Sequence, residues 1–267
     1  MLQDEFKANV ARSFGRAAGT YDGVAGLQCK IGQALMEALP LLPSNSVVLD
    51  LGAGTGFFAR QLAATFAEGR VIALDIAEPM LRRAQLGLEG FAVVGDAEAI
   101  PVRDEAVDLI FSNMCIQWCR SAEILFAEIR RVLKPGGRVI FSTFGPKTLK
   151  ELRQAWAVGD DYDHVLDFSS AQEIERAMTS AGLIWSKKSS WIEQCPYPDV
   201  LSLMRELKGL GARNASVNRS RAMTGKGRLA AMIEAYPSSD GGLGDSGVVA
   251  TFEILGGQLR CAGEGFE

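Results

Sequence analysis

The stretch Ser46–Gly56, S-V-V-L-D-L-G-A-G-T-G, decides the fold of this chain. A short apolar run leads to Asp50, as expected for one buried strand of a parallel sheet. Glycines then occupy alternate positions: Gly52, Gly54 and Gly56. The apolar spacing from Phe57 onward predicts a helix. A strand, a glycine turn and a helix in this order bring backbone N–H groups and a helix N-terminus to a bound ligand.

The spacing of these glycines argues against a phosphate ligand. The dinucleotide fingerprint G-x-G-x-x-G, counted from Gly52, requires a glycine where Phe57 stands. The P-loop requires Lys followed by Ser or Thr, but Phe57 and Phe58 follow the last glycine. The acid at Asp50 would repel a pyrophosphate and suits a ligand that carries an amine. Tight turns between a strand and a helix also use glycines, so the segments that follow decide between a ligand site and a plain turn.

Composition predicts one ordinary globular domain in a reducing compartment. The chain has 267 residues, a net charge of −4 and 22% charged residues, so no overall field attracts nucleic acid or an anionic membrane. Its N-terminus carries acids where a secretory signal would be basic, which predicts a cytoplasmic protein. Five scattered cysteines and one histidine, His164, predict neither a disulfide framework nor a metal site.

Acids follow two further predicted strands. The strand V-I-A-L-D ends at Asp75, where a carboxylate can accept hydrogen bonds from both hydroxyls of a ribose. The alternative role for Asp75 is to cap the helix that follows. In F-A-V-V-G-D-A, Asp96 and Ala97 come just after a third strand, where an acid can accept the exocyclic amine of an adenine. Together with Asp50, these acids predict a site for a nucleoside joined to an amino acid.

The fourth predicted strand, A-V-D-L-I-F-S, leads into N-M-C-I-Q-W-C. In an open parallel sheet, ligands lie at the carboxyl ends of the strands near the switch point. Asn113, Gln117 and Trp118 are therefore candidates for the reactive end of the pocket, unless the loop is merely packed by Trp118. A helix and a fifth strand, R-V-I-F-S-T-F, complete five strand–helix alternations, which predict a doubly wound parallel sheet.

We expect additions on both sides of a cofactor-binding core at residues 43–145. Residues 1–42 predict two helices that cover the site, with Tyr21 in the break between them, either facing the site or half-buried in a turn. Residues 146–267 predict further helices, with a capping box at Ser170 and Glu173, and the last strands. After the helix V-L-S-L-M-R-E-L-K-G-L, the chain predicts a loop and then a last strand, G-V-V-A-T-F-E-I-L-G-G, bounded by glycines. His164 is interpreted as a solvated loop residue rather than a base.

A basic stretch lies between Arg205 and Arg228. Glu206 is its only acid, and its basic residues are Arg205, Lys208, Arg213, Arg219, Arg221, Lys226 and Arg228. The stretch is either a solvated helix face or a site for an anionic substrate or an acidic partner.

The chain resembles the malonyl-acyl-carrier-protein O-methyltransferases of biotin synthesis, within the class I S-adenosylmethionine-dependent methyltransferases. The glycine stretch is similar to motif I of that class. More specific likenesses are F-G-R-A-A-G-T-Y-D (Phe14 to Asp22), S-N-M-C-I-Q-W-C (Ser112 to Cys119) and L-S-L-M-R-E-L-K-G-L-G-A (Leu201 to Ala212). The final 30 residues, rich in Ser and Gly, show little that aligns.

The resemblance implies an α/β fold with a mostly parallel, seven-stranded, Rossmann-like sheet and S-adenosyl-L-methionine as cofactor. The implied cofactor-binding residues are Asp50, Gly52, Ala53, Gly54, Gly56, Asp75, Ile76, Met80, Asp96, Ala97 and Asn113. The implied substrate-binding residues are Tyr21, Gln117, Trp118, Arg205, Lys208 and Arg213, of which Tyr21 and Lys208 would position the reacting groups.

The implied substrate is the free carboxylate of a malonyl thioester, carried by an acidic acyl carrier protein or by coenzyme A. The basic stretch is the expected docking site for the carrier. Two alternatives remain open at this point. One is a methyltransferase of the same superfamily that acts on another small molecule or a ring carbon, and the other is a catalytically silent assembly factor that keeps the nucleoside site.

Overall fold

The computed structural model describes residues 2–158, 162, 164–212, 225–237 and 247–262. These residues form one seven-stranded sheet with the strand order β3-β2-β1-β4-β5-β7-β6. The strands are β1 Val47–Leu51, β2 Arg70–Asp75, β3 Phe91–Val94, β4 Val107–Asn113, β5 Leu133–Phe144, β6 Leu183–Tyr197 and β7 Val248–Cys261. Strands β1 to β5 are parallel, and β7 runs antiparallel between β5 and β6. The predicted doubly wound, mostly parallel sheet is confirmed.

Helices cover both faces of this sheet. They are α1 Leu2–Ala17, α2 Gly26–Glu37, α3 Phe57–Thr65, α4 Glu78–Ala84, α5 Ala122–Val132, α6 Lys150–Trp156, α7 Ala171–Ser180, α8 Val200–Gly209 and α9 Lys226–Ala235. On one face, α2, α3 and α4 pack through apolar side chains such as Leu35, Phe58 and Leu81. On the other, α5 and α7 pack through residues such as Phe126 and Met178. The central strands are therefore buried on both faces, as their unbroken apolar runs predict.

Side-chain caps begin three of the helices. The Ser170 hydroxyl accepts the Glu173 N–H at 3.2 Å and the Glu173 carboxylate accepts the Ser170 N–H at 2.7 Å, so the predicted capping box is confirmed. The Ser121 hydroxyl accepts the Ile124 N–H at 3.1 Å at the start of α5. Asp199 accepts the Ser202 N–H at 2.6 Å at the start of α8.

The C-terminal part differs from the sequence prediction in two respects. Gly256 and Gly257 do not bound the last strand but lie inside β7, which continues to Cys261. A side chain at Gly256 would place its Cβ 2.2 Å from the Phe141 oxygen, so only glycine allows β7 to pair closely with β5 there. Helix α9 was predicted as loop; it forms because Met232 and Tyr236 are buried against the neighbouring elements.

None of the helices in the described ranges combines the length and the apolar character needed to cross a membrane.

Candidate functional site

A cavity opens at the carboxyl ends of the parallel strands. We call it the strand-end cavity. The sequence-predicted residues that line it are Tyr21, Gly52, Gly54, Asp75, Ile76, Met80, Asp96, Ala97, Asn113 and Trp118. Asp50, Ala53, Gly56 and Gln117, which were also predicted, support these residues from positions behind the lining. The structure thus brings together residues that lie far apart in the sequence.

The glycine loop, residues 52–56, leaves space for a ligand at one position. A Cβ placed on Gly54 would meet no atom within 4 Å, and this residue lines the cavity with φ +55°. A Cβ placed on Gly56 would lie 2.6 Å from the Ala84 Cβ, so Gly56 instead allows α3 and α4 to pack closely. The N–H of Ala53 donates to the Leu74 carbonyl at 2.9 Å, which fixes the loop against β2.

Asp75 connects the glycine loop to the start of α4. Its Oδ2 accepts the Gly54 N–H at 2.9 Å and its Oδ1 accepts the Ala77 N–H at 2.7 Å. Burial raises the pKa of this carboxyl, and the backbone N–H donors partly oppose that effect. Asp75 therefore lines the cavity and also holds the backbone of Ala77, the residue before α4. It does not act as the predicted helix cap, because no described side chain makes a cap hydrogen bond at the start of α4.

Asp50 is enclosed beside the cavity rather than exposed in it. Its side chain is 2% exposed, and its Oδ2 has no hydrogen-bond partner in the described part of the chain. Burial, together with the nearby charge of Asp75, raises the pKa of the Asp50 carboxyl to about 8, although it accepts the Ala59 N–H at the start of α3. An unpartnered buried carboxylate oxygen is costly, and the raised pKa reduces this cost because it favours the protonated, uncharged form of Asp50.

Asp96 lies at the end of β3, where a lysine from α1 reaches it. Its Oδ1 accepts the Glu98 N–H at 2.9 Å, and the ammonium of Lys7 pairs with its carboxylate. Lys7, Val10 and Phe14 line the cavity from one face of α1. None of these three residues was predicted as a site residue; in the sequence, Val10 and Phe14 occupy apolar helical positions and Lys7 a polar one. Their three- and four-residue spacing was the signal that all three face the same site.

The loop after β4 is held by side-chain amides. Asn113 donates from Nδ2 to the Gln28 carbonyl at 2.9 Å and accepts the Ser142 hydroxyl at 2.8 Å. Gln117 donates to the Met114 carbonyl at 2.9 Å and accepts the Thr143 hydroxyl at 3.0 Å. Asn113 also lines the cavity, whereas Gln117 stabilises the loop from behind.

Aromatic residues close the cavity on the side of α1. Phe14 meets Trp118 edge to face with the ring centroids 5.0 Å apart, and the centroid of Tyr21 lies 6.4 Å from that of Phe14. Burial, with the negative charge of Asp75 nearby, raises the pKa of the Tyr21 hydroxyl well above its usual range. This hydroxyl is therefore protonated at neutral pH and is a hydrogen-bond donor.

Trp118 also lines a second cavity, which we call the apolar cavity. Its walls include Leu27, Phe144 and Leu207. His164 lines it too, with its ring stacked on Trp156 at a centroid distance of 3.8 Å. His164 lies in a loop as predicted, but this packing leaves it only partly exposed rather than fully solvated.

The basic residues of α8 face away from both cavities. Exposed Arg205 and Lys208 line a surface groove with Arg16 of α1, whereas Glu206, between them in sequence, lines the apolar cavity. The helical period separates these neighbours onto different faces. The placement of Lys208 and Arg205 differs from the prediction that they contact the reacting group. Arg213, Arg219 and Arg221, also predicted, lie outside the described residues.

Comparison with known proteins defines the class. Residues 49–141 match the family model described as a methyltransferase domain. The fold is shared with the crystal structure of geranyl diphosphate C-methyltransferase from Streptomyces coelicolor A3(2), which contains S-adenosyl-L-homocysteine; the TM-score is 0.54 at 19% identity, over 88% of this chain and 80% of that one. The fold and the strand-end cavity are those of a class I methyltransferase, an enzyme with S-adenosyl-L-methionine as cofactor.

Closer relatives define the family. The chain is 46% identical to the malonyl-acyl-carrier-protein O-methyltransferase of Methylococcus capsulatus, over 92% of this chain and 90% of that protein. It is 42% identical to the biotin biosynthesis bifunctional protein BioHC of Cellvibrio japonicus, over 93% of this chain but only 49% of that longer protein. The chain belongs to the malonyl-acyl-carrier-protein O-methyltransferase family.

Proposed function

We propose that this chain transfers a methyl group from S-adenosyl-L-methionine to the free carboxylate of a malonyl thioester, an early step of biotin synthesis. The observation that carries the proposal is the strand-end cavity, where acids from successive strands face one enclosed space. The family relationship supports the choice of substrate.

In this proposal, the acids at the ends of β1, β2 and β3 contact successive parts of the cofactor. Asp75 accepts the ribose hydroxyls and Asp96 accepts the adenine amine, with Ile76, Met80 and Ala97 as the apolar surroundings of the base. The open space at Gly54 admits the chain between the ribose and the amino acid end. The ammonium of that end favours the ionised form of the nearby Asp50 carboxyl and offsets its burial.

The chemistry requires placement rather than proton transfer. The bound sulfonium supplies an activated methyl group. A free carboxyl group has a pKa of about 4, so the nucleophile is already ionised at neutral pH and needs no general base. The protein's contribution is to align the carboxylate with the methyl group and to exclude water. The covering face of α1, with Phe14 against Trp118, provides that exclusion.

Tyr21 and Trp118 border the reacting carboxylate on this proposal. The protonated Tyr21 hydroxyl donates a hydrogen bond to it, and Trp118 separates the strand-end cavity from the apolar cavity. The apolar cavity receives the uncharged arm that joins the acyl group to its carrier. Residues 1–42 act as cover, residues 43–145 as cofactor core, and residues 146–267 as the substrate side.

The carrier docks outside both cavities, on the groove lined by Arg16, Arg205 and Lys208. Exposed basic side chains in one groove favour an acidic carrier protein, and they accelerate its association more than they tighten binding. Lys208 therefore serves docking in this proposal, and no contact with the malonyl carboxylate is assigned to it.

Methyl transfer to malonyl-acyl carrier protein tests the proposal directly. The expected product is a methyl ester, seen as the added mass of one methylene on the carrier and as monomethyl malonate after the thioester is cleaved. Acetyl-acyl carrier protein, which has no free carboxylate, should not react. A base-stable methyl product on another substrate would indicate the ring-carbon alternative. Binding of S-adenosyl-L-homocysteine without turnover of the malonyl substrate would indicate the silent assembly factor.

A charge-reversal pair tests the docking surface. R205E with K208E should raise KM for malonyl-acyl carrier protein about tenfold or more at low salt, because like charges then face the carrier. KM for S-adenosyl-L-methionine should not change. The matched control is R176E with K187E, at exposed positions on α7 and β6. An equal rise in KM for both pairs would contradict a localised docking site.

A further inference from the structure

A cluster of one lysine and two carboxylates joins α1 to the mouth of the strand-end cavity. The Lys7 ammonium lies 2.7 Å from the Glu98 carboxylate and pairs with Asp96 as well. The Lys7 side chain is 23% exposed and that of Glu98 only 5%, so these charges are poorly screened. Hydrogen bonds and charge attraction from both carboxylates raise the Lys7 pKa, although burial opposes this.

Glu98 itself is fixed by the backbone of the loop after β4. It accepts the Ser121 N–H at 2.9 Å and the Arg120 N–H at 3.2 Å. Lys7 therefore connects three segments that are distant in sequence: α1, the end of β3 and the start of α5. Two further contacts join α1 to the same loop, from Phe14 to Trp118 and from Phe6 to the Arg120 guanidinium at 5.7 Å.

Asp96 has few acceptor positions left for a ligand. The N–H of Glu98 occupies Oδ1, and Lys7 occupies Oδ2. Without the lysine, two carboxylates would face each other across the cavity mouth, and Asp96 could turn away from the ligand. With the lysine, the orientation of Asp96 and the position of α1 are set together.

We infer that Lys7 is a positioning residue of the cofactor site. It holds Asp96 in the orientation that accepts the adenine amine. It also fixes α1 in the position where this helix covers the adenosyl end of the cavity. This inference rests on the proposed function, because it concerns the same cavity. On this inference the cofactor leaves only after α1 has moved, because Lys7, Val10 and Phe14 lie on the cavity-lining face of that helix. The ion pairs therefore oppose dissociation more than they affect association.

Binding of S-adenosyl-L-homocysteine to the full chain tests the inference, by calorimetry and by stopped-flow displacement. K7M should raise Kd about tenfold or more, mainly through faster dissociation, because a partly buried charge pair loses its cation. K7R should stay within about threefold of the wild type, because a guanidinium can serve both carboxylates. The matched control is R12M, on the same helix at an exposed position where Arg12 bonds to Asn9.

The outcomes separate this inference from the proposed function. If wild type and R12M bind and K7M binds equally well, the role of Lys7 is wrong. It is also wrong if K7R binds as weakly as K7M, since that would indicate a dependence on side-chain shape alone. If the wild type does not bind, the proposed function itself fails. K7Q, with a neutral polar side chain, replaces K7M if thermal unfolding shows that K7M is not folded.

Discussion

Asp50, Asp75 and Asp96 are the same residue type at the ends of neighbouring strands, yet each has a different environment. Asp50 is enclosed and one of its oxygens has no partner among the residues that the structure describes, Asp75 accepts backbone N–H groups, and Asp96 is paired with a lysine. Their residue type and their positions at strand ends predicted from sequence that all three lie near one site. Their individual properties come from their different partners, and predictions at the residue scale follow from those partners.

Asp50 should make the stability of the unliganded protein depend on pH. Its pKa is raised to about 8 in the folded chain and is about 4 in the unfolded chain, so the folded state holds the proton more tightly. The contribution is fully present below about pH 4 and is lost as pH rises towards about 8. D50N lacks this titration. Its unfolding free energy relative to wild type should therefore increase between pH 5 and pH 8.5, by an amount on the order of a few kcal/mol.

Urea unfolding at several pH values in that range measures the difference. D104N, at a residue whose side chain is 73% exposed, serves as the control and should show no such trend. A difference between D50N and wild type that stays constant with pH would contradict the raised pKa.

Tyr21 should affect turnover without affecting cofactor affinity. Y21F keeps the ring near Phe14 and removes only the hydroxyl. If that hydroxyl donates to the reacting carboxylate, kcat/KM for the malonyl substrate should fall about ten- to a hundredfold, the cost of one hydrogen bond to a charged group. The Kd of S-adenosyl-L-homocysteine should stay within about twofold of wild type. A loss confined to cofactor binding would assign Tyr21 to the cover alone.

At the scale of elements, the glycine loop and α1 both line the cavity. The loop is a local feature, set by residues adjacent in sequence. The wall from α1 exists only because its one face carries Lys7, Val10 and Phe14 to the strand ends.

Two glycines of the loop should respond differently to alanine. G54A adds a Cβ in open space, so cofactor Kd should rise about tenfold or more while the strain of a positive φ costs only about 1 kcal/mol of stability. G56A brings a Cβ to 2.8 Å from the Ala84 Cα, so its main effect should be a lower Tm. Thermal unfolding and calorimetry on both variants measure the two effects. Equal losses of Tm would contradict the different roles of the two glycines.

At the scale of the whole molecule, the cavity joins α1, the strand ends and the loop after β4. A ligand there contacts segments from much of the chain and binds only the folded state. S-adenosyl-L-homocysteine at about 100 times its Kd should therefore add about 2.7 kcal/mol to the unfolding free energy. For a chain of this size, that corresponds to a rise in Tm of about 5–10 °C.

Thermal scans with and without the ligand measure this shift. D75N, which removes the charged acceptor at the end of β2, should show little or no rise at the same ligand concentration. A rise in D75N as large as in wild type would place the ligand elsewhere.

Sequence alone determined the parallel core and the acids at its strand ends. Apolar runs specify buried strands, glycines at fixed spacing specify the turn, and parallel strands necessarily bring their carboxyl ends to one edge. These relations are local or follow from the strand order. Asp75, Asp96 and Gly54 could therefore be assigned to one cavity from their positions alone.

Tertiary structure decided the features that depend on distant contacts. From the sequence, Lys7 is predicted only to be a polar residue of a helix. The packing of α1 places it between Asp96 and Glu98. Lys208 and Glu206 are close in sequence. The orientation of α8 places Lys208 in the surface groove and Glu206 at the apolar cavity. Helical periodicity states which residues share a face, but long-range packing determines what that face meets.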